Sequence, residues 1–256
     1  MKQKIKDLCR KLSDQLSALD QVDSITLAEI IDEDLYSPYF FISADVYHRN
    51  PLPEEEDRET ILHNPPIFES NLRGTKDRFL LEGVPIRLEY KNLDAVEGLL
   101  DQALSPQGVY TETGTYPFYR LQRNTLLYSR SGWLEEARNR LERLGEAFWT
   151  PLITRHKANL EHLAMDLAAS AVVQDVLFYL RSLSAYINTV CAFLFAVNRR
   201  FEPSGRRLEE KLYALELLPE SFKGQFACLI ALDPEFDPPR KSGIAAVLTK
   251  SLLTLE

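Results

Sequence analysis

Two acidic residues, Asp45 and Glu89, carry the clearest chemical signal in this sequence. Each lies in a mainly apolar segment, residues 39–47 and 85–90, whose composition is typical of a β-strand. Burying a carboxylate in so apolar a strand is costly unless a cation or hydrogen bonds compensate for it. If the two strands pair, the carboxylates converge, and two oxygen donors placed in this way suit a hard cation such as Mg²⁺.

A plainer interpretation of both residues stays open from the spacing alone. Asp45 comes near the end of its predicted strand, where solvent could reach the carboxylate. Side chains alternate across a strand, so Arg87, Glu89 and Lys91 share one face. Glu89 could therefore pair with either neighbouring cation on the surface and have no chemical role.

The elements that must position these residues follow an α+β pattern. Apolar residues at three- and four-residue spacing predict an amphipathic helix over residues 1–20. The elements predicted after it are strands at 24–31 and 39–47, a hairpin of 78–81 and 85–90 that turns at 82–83, a helix at 93–104, a strand at 125–128 and a helix at 133–144.

Beyond residue 146 the sequence predicts helices only. Pro151 suits the first turn of one helix, and Asp175 suits the start of the next. We therefore predict a mixed β-sheet with helices over residues 1–145, followed by a C-terminal α-helical bundle over 146–256. The aromatic, turn-like segment 114–120 is expected to be a loop that packs on the core, or one that lines a substrate pocket.

Composition and charge exclude several classes of protein. The 256 residues include 30 Lys and Arg against 38 Asp and Glu, a formal net charge of −8. Such a chain repels phosphate backbones, so we expect no binding to duplex nucleic acid. Its three cysteines are too scattered for a disulfide framework or a zinc site. The most apolar run, 183–197, is shorter than the roughly 18 residues of a membrane span, so we expect a cytoplasmic protein without a membrane partner.

Two groups of basic residues could hold an anionic ligand. Lys76 follows Gly74 just before the predicted hairpin, where backbone N–H groups and the ammonium group could grip a phosphate. A solvated turn explains this segment equally well. Arg199 and Arg206 flank a break between helices and could steer a nucleotide, although nearby glutamates could instead neutralise them.

Four short motifs, in their order along the chain, resemble the polymerase-β-like nucleotidyltransferase superfamily, and within it the aminoglycoside- and lincosamide-type enzymes. They are ISADV at 42–46, IRLEY at 86–90, LLYSRSGWL at 126–134 and NRRFEPSGR at 198–206. In that family a first strand ends in a Gly-Ser turn, a second strand carries two carboxylates one residue apart, and a later strand carries a third. Asp45 and Glu89 match the second and third carboxylates.

The resemblance implies metal-dependent transfer of a nucleoside monophosphate. Two Mg²⁺ ions would bind a nucleoside triphosphate and activate a hydroxyl group of a small-molecule or protein acceptor for attack on the α-phosphorus. Asp45 and Glu89 would be the catalytic metal ligands, and Glu89 would also be the candidate general base. The further candidates for contact with the nucleotide are Ser43, Lys76, Arg199 and Arg206.

Two positions depart from the family pattern. Ser43 stands where the first carboxylate is expected, which removes one negative charge from the metal site. Ile31 and Asp32 stand where the Gly-Ser turn is expected, and Asp32 would repel a phosphate. An alternative register would use Asp32 and Asp34 as the carboxylate pair, but it leaves no strand ahead of them.

The sequence therefore predicts one of two functions. The first is a divergent nucleotidyltransferase, or a descendant that retains only nucleotide binding. The alternative is a catalytically inactive interaction protein that forms a homodimer through its helical half. An apolar stripe at helical spacing over residues 177–194 fits either a core or a dimer face.

Overall fold

A mixed β-sheet is the framework of the first of two units into which the chain divides. The first unit contains residues 3–105 and 117–144, and the second contains residues 114–116 and 145–255. The architecture is α+β, with a helical region after the sheet, as the sequence predicts. The computed structural model describes residues 3–30, 34, 37, 40–105, 114–233 and 235–255.

Strands and helices are interspersed along the chain of the first unit. The strand order in its sheet is β3-β4-β5-β2-β1-β6, and every neighbouring pair is antiparallel except β2 and β5. The elements are α1 (Gln3–Ser17), β1 (Val22–Leu27), β2 (Ile42–His48), α2 (Glu55–Ile61), β3 (Glu69–Ser70), β4 (Lys76–Leu81), β5 (Val84–Asn92), α3 (Leu93–Leu104), α4 (Tyr116–Arg123), β6 (Thr125–Ser129) and α5 (Trp133–Glu142).

One face of the sheet forms the hydrophobic core of this unit. Ala44 and Val46 of β2 and Leu88 of β5 are fully buried on that face. The amphipathic helix α1 contributes Leu8 and Leu12 to the same cluster, because its apolar residues recur every three or four positions. Alternation along β2 and β5 leaves the other face of these strands for polar side chains.

The predicted hairpin is confirmed. Strands β4 and β5 pair in antiparallel register, and Glu82 and Gly83 connect them. Both connecting residues have positive φ, 51° and 78°, which is the backbone of a two-residue hairpin turn whose twist matches the strands. This turn fixes which side chains of β4 and β5 share a face.

Two predicted elements differ from the structure. Strand β1 ends at Leu27 instead of residue 31, and residues 31–33, with the expected turn and the alternative carboxylate Asp32, lie outside the described residues. The predicted loop at 114–120 is wrong from Tyr116 onward, where helix α4 begins. Pro117 is tolerated in its first turn, and Phe118 and Leu121 bury one face of a helix only eight residues long.

The second unit is helical throughout its described residues. Asp175 accepts a hydrogen bond from the Phe178 N–H and caps a helix, as predicted. Pro151 does not start its helix, which begins at Glu146 and continues past the proline. The elements are α6 (Glu146–Val173), α7 (Val176–Val197), α8 (Leu208–Tyr213), α9 (Phe222–Ile230) and α10 (Pro238–Leu253).

Helix α7 is the most apolar helix among the described residues. By length and composition it could cross a membrane, and 50% of its most apolar window is buried in the protein. The buried part includes Val190, Phe193 and Leu194, which pack in the core of the helical unit. This is also the character of the central helix of a bundle.

We expect the helical unit to lose stability in acid because His156 of α6 is buried. Burial, reinforced by Arg155, lowers the pKa of His156 from 6.5 to about 4. A depressed pKa in the folded state means that the stabilising contribution is complete above pH 6.5 and is lost as the pH falls toward 4. At ~1.4 kcal/mol per pKa unit the loss is about 3 kcal/mol.

The measurement for His156 is urea unfolding between pH 7 and pH 4, followed by the fluorescence of Trp149 in a Trp133→Phe background. His156→Gln keeps a neutral polar side chain, so its free energy of unfolding relative to wild type should rise by about 3 kcal/mol across this range. An unchanged difference between the two proteins at all pH values would contradict the prediction.

Candidate functional site

Asp45 and Glu89 lie side by side in the sheet. Strands β2 and β5 are parallel, and their register places Asp45 directly opposite Glu89. Both side chains therefore leave the sheet on the face opposite the core. Asp45 is fully buried, so the interpretation that it is a solvated strand end is wrong, whereas Glu89 is partly exposed.

A single arginine from helix α4 bridges the two carboxylates. Arg120 donates from Nε to Oδ2 of Asp45 at 2.9 Å, and its Nη2 lies 2.6 Å from Oδ1. Its Nη1 lies 3.1 Å from Oε2 of Glu89, and Nη2 is 3.5 Å from the Ser43 hydroxyl. The Arg120 side chain is only 7% exposed. This guanidinium group thus occupies the space between the carboxylates.

Two further donors complete the surroundings of Asp45. The Lys91 ammonium group lies 3.0 Å from Oδ2 of Asp45, and the amide of Asn124 donates to the same oxygen at 3.0 Å. Asn124 also donates to the Thr26 hydroxyl, which ties the cluster to β1. Oδ2 therefore has three donors within 3.0 Å, which leaves it little capacity to bind anything else.

The pKa values of the cluster follow from burial and mutual charge. Burial raises the pKa of Asp45, although Lys91 and Arg120 oppose the shift. Burial alone would also raise the pKa of Glu89, but Arg120, Lys91 and Lys76 together lower it. A lowered pKa makes Glu89 a weaker base, which does not favour the general-base role that the resemblance implies.

Glu89 contacts different cations from those expected for a surface residue. Its ion pairs are with Arg120 and, at 3.7 Å, with Lys76 of β4, not with Arg87 or Lys91. Lys76 stands opposite Glu89 in the β4–β5 register, which explains the contact. The cluster thus combines two carboxylates with three cationic side chains.

The Mg²⁺ site that the resemblance implies does not fit these residues. Arg120 contacts both carboxylates, and Lys91 and Asn124 fill the remaining positions around Oδ2 of Asp45. Ser43, where the family pattern has its first carboxylate, supplies no negative charge. Among the described residues, no group of three or more His, Cys, Asp and Glu side chains is arranged to hold a metal ion. Protein cations occupy the places that metal ions would need.

The turn before Lys76 is closed by its own side chains. Oδ1 of Asn71 accepts hydrogen bonds from the backbone N–H groups of Thr75 and Lys76, and the Gly74 N–H donates to the Asn71 carbonyl oxygen. These three N–H groups are therefore not available to a phosphate. Only the half-exposed ammonium group of Lys76 remains of the predicted grip.

More cationic side chains share the exposed face of this edge of the sheet. Arg78 stands opposite Arg87 in the register, and both are exposed. Glu69 of β3 stands opposite Arg78 and offsets part of this charge. The basic face, as we name this set, consists of Lys76, Arg78, Arg87, Lys91 and Arg120, which face the acidic residues Asp45, Glu69 and Glu89.

A cavity of about 450 Å³ lies at the end of β1 and shares Asn124 with the cluster. Leu27, Ala28, Tyr119 and Arg123 are among its lining residues. Ligand pockets in proteins are commonly of about 300–1,000 Å³. The cavity is therefore large enough for part of a small ligand.

The two other predicted nucleotide contacts belong to the second unit. Arg199 follows α7 and forms a bidentate ion pair with Glu146, in which Nε donates to Oε1 at 3.1 Å and Nη2 donates to Oε2 at 2.9 Å. Arg206 is exposed in the turn before α8. Their role in binding a nucleotide stays a prediction.

The fold of the chain is nucleotidyltransferase-like. A solved structure of a nucleotidyltransferase-like protein from Exiguobacterium sibiricum 255-15 matches it with a TM-score of 0.52 and 11% sequence identity. The match covers 97% of this chain and 74% of the other. No protein-family model and no curated protein sequence matches the chain. At this identity the likeness establishes the fold alone.

Proposed function

We propose that the protein binds a phosphate-bearing ligand of the nucleotide class without a metal ion and without transferring the nucleotide. The observation that carries this proposal is the Arg120 guanidinium group, which contacts both Asp45 and Glu89. In a metal-dependent transferase these carboxylates must be free to bind Mg²⁺. Here their negative charge is already offset by buried protein cations.

The charge that remains supports binding of an anion. Once Arg120 and Lys91 have offset Asp45 and Glu89, Lys76 and Arg78 remain against Glu69 on the exposed part of the basic face. A cationic patch on a chain of net charge −8 attracts anions locally while the rest of the surface repels them. Arginine forks match phosphate oxygens well, and a nucleoside triphosphate carries more negative charge than a single carboxylate.

The experiment is a thermal unfolding series on the whole protein. Each of the four common nucleoside triphosphates is added, once with Mg²⁺ and once with a chelator. We expect stabilisation that is at least as large in the chelator, because Mg²⁺ would neutralise part of the ligand's charge. At a ligand concentration of about 100 times Kd, the stabilisation would be about 2.7 kcal/mol.

Matched variants test whether the ligand binds to the basic face. Lys76→Gln and Arg78→Gln each remove one exposed cation and should weaken binding about tenfold, the effect of about 1.4 kcal/mol from one charge-assisted contact. Arg10→Gln removes an exposed cation from α1, which packs on the core face, and should leave binding unchanged.

Nucleotidyl transfer is the competing function, and the register that pairs Asp45 with Glu89 favours it. Stabilisation that requires Mg²⁺, together with pyrophosphate release that Asp45→Asn abolishes, would establish transfer and reject our proposal. A protein whose unfolding temperature ignores all four triphosphates in both conditions would reject nucleotide binding as well.

A further inference from the structure

The connection between helices α6 and α7 exposes an apolar surface. Apolar side chains on both sides of this connection are between 42% and 82% exposed, although valine, leucine and phenylalanine are usually buried. We name this surface the hairpin tip; it consists of Met165, Val172, Val173, Val176, Leu177, Phe178 and Leu180.

The hairpin tip differs from the other exposed apolar residues that the structure describes. Leu72, Leu232 and Val247 are exposed one at a time, which is normal for a protein surface. From the exposed fractions of its seven residues, the hairpin tip presents roughly 700 Å² in total around the two helix ends, whereas the largest apolar patch of a typical monomer is about 300–600 Å². A patch of this size marks an interaction surface.

On α6 this surface is a second apolar face, separate from the face that packs in the core. Met165 and Val172 are exposed seven residues apart, with Ala168 and Ala169 exposed between them, so these residues form one stripe along the helix. The other side of the same helix supplies Leu167 and other residues to the core of the unit. Small residues within the stripe allow another helix to approach closely.

The apolar stripe of α7 that the sequence presented as core or dimer face is divided in the structure. Val190 and Leu194 are buried in the core of the unit. Leu177 and Leu180, at the start of the helix, are 70% and 56% exposed. The second group continues the surface of α6 across the connection.

We propose that the hairpin tip is the interface of a homodimer, with a second copy of this chain as its occupant. An interface of standard size buries about 800 Å² on each partner, close to the area that the hairpin tip offers. A two-fold axis brings the same apolar patch together with itself, which needs no complementary pocket elsewhere. Asp166 of α6, which lies 3.5 Å from His162, and Arg181 of α7 are of opposite charge, so a two-fold axis can bring them together at the rim.

The charges around the hairpin tip argue against a lipid surface as its occupant. Helices that lie on membranes carry lysine and arginine next to their apolar face. Here Glu161, Asp166 and Asp175 lie on α6 or in the connection, and Arg181 is the nearest basic residue along α7. Anionic lipid headgroups would therefore be repelled.

The test is sedimentation velocity of the whole protein at about 1–100 μM. We expect a dimer with a Kd in the micromolar range. Leu177→Asp places an acid in the first turn of α7, where the helix dipole favours it, and Met165→Lys changes the facing stripe of α6. Each should weaken the dimer at least 100-fold and leave the helical content unchanged.

A third variant is the matched control. Val247→Asp alters a valine on α10 of the same unit that is 53% exposed, and it should leave the dimer intact. A wild-type protein that stays monomeric at the highest concentration would overturn the proposal, as would a dimer that persists in both tip variants. Binding of the wild-type monomer to vesicles of phosphatidylcholine and phosphatidylserine, lost in Leu177→Asp, would also overturn it by identifying a lipid surface as the occupant.

Discussion

Replacing Arg120 by methionine should lower the free energy of unfolding of the first unit by about 3 kcal/mol or more. Removing one partner of a buried ion pair leaves the other as an incompletely compensated charge, which typically costs about 3–5 kcal/mol. Asp45 is fully buried and would keep only Lys91 and Asn124, while Glu89 would lose its closest cation. The remaining donors place the expected loss at the lower end of that range.

The measurement needs a reporter of the first unit alone, since a chain of two units need not unfold in one step. The chain contains two tryptophans. Trp133 of α5 lies 5.2 Å from the Tyr47 ring of β2, next to the cluster, and Trp149 belongs to the helical unit. Urea unfolding followed by fluorescence in a Trp149→Phe background therefore reports on the unit that holds Arg120.

Arg140→Met is the matched control for Arg120→Met. Arg140 also bridges two carboxylates, those of Glu97 and Asp101, but it is 22% exposed and its partners are 36% and 74% exposed. Exposed ion pairs contribute about 0–1 kcal/mol, so this variant should be nearly as stable as wild type. Equal losses of unfolding free energy in the two variants would show that the buried ion pairs of Arg120 stabilise the fold no more than exposed ones.

A double-mutant cycle with Asp45→Asn separates the ion pair from the loss of packing. Methionine retains much of the arginine stem, so most of the loss should come from the charge. The coupling energy between the two sites should be about 2 kcal/mol, within the range for residues in contact. A coupling energy below about 0.5 kcal/mol would contradict an ion pair that stabilises the fold.

The placement of Asp45 beside Glu89 was predictable from the sequence, but the arginine that bridges the two carboxylates was not. Alternation along two strands assigns each carboxylate to a face, and the hairpin turn at Glu82 and Gly83 fixes the phase of the second strand. The parallel register of β2 and β5 then places the two side by side. None of this reveals which cation compensates Asp45.

Arg120 was missed because it is distant in sequence and lies in a helix that is hard to recognise. It is 75 residues from Asp45, and α4 is short, begins beside Gly114 and contains Pro117, which together favour the interpretation of a loop. A signal was nevertheless present. A carboxylate in an apolar strand needs a cation or hydrogen-bond donors, and Phe118 and Leu121 at three-residue spacing mark a helix that could supply a cation.

The exposed start of α7 was equally hidden from the sequence. Leucines at helical spacing indicate an apolar face but not what covers it. In this unit the later part of the stripe, around Leu194, belongs to a core to which α6, α9 and α10 also contribute, whereas Leu177 is exposed. Whether a residue is buried depends on how the helices pack together, and the periodicity of one helix does not show this.

Exchanging the charges at two positions should create the metal site that wild type lacks. In Ser43→Asp/Arg120→Met, a new carboxylate at position 43 joins Asp45 and Glu89, and the guanidinium group between them is gone. Lys91 contacts only Oδ2 of Asp45, so Oδ1 becomes available. Three carboxylates without a bridging cation repel one another, and a divalent cation relieves this repulsion.

The expected result is a gain of metal-dependent stability. Wild type should not respond to Mn²⁺ or Mg²⁺, whereas the double variant should bind Mn²⁺ with a Kd of about 0.1 mM, which at 10 mM metal corresponds to about 2.7 kcal/mol of stabilisation. Thermal unfolding with and without metal measures the gain, and electron paramagnetic resonance of free Mn²⁺ measures the binding directly.

Ser43→Ala/Arg120→Met is the control, because it removes the arginine without adding a carboxylate. If this control binds Mn²⁺ as tightly as Ser43→Asp/Arg120→Met does, the guanidinium group alone excludes the metal. The absence of a carboxylate at position 43 then has no effect on metal binding. If wild type itself binds Mn²⁺ with similar affinity, then Arg120 and Lys91 yield to a metal ion. In that case the protein is not metal-independent, because the ion pairs of Asp45 would be a resting arrangement and not a replacement for the metal.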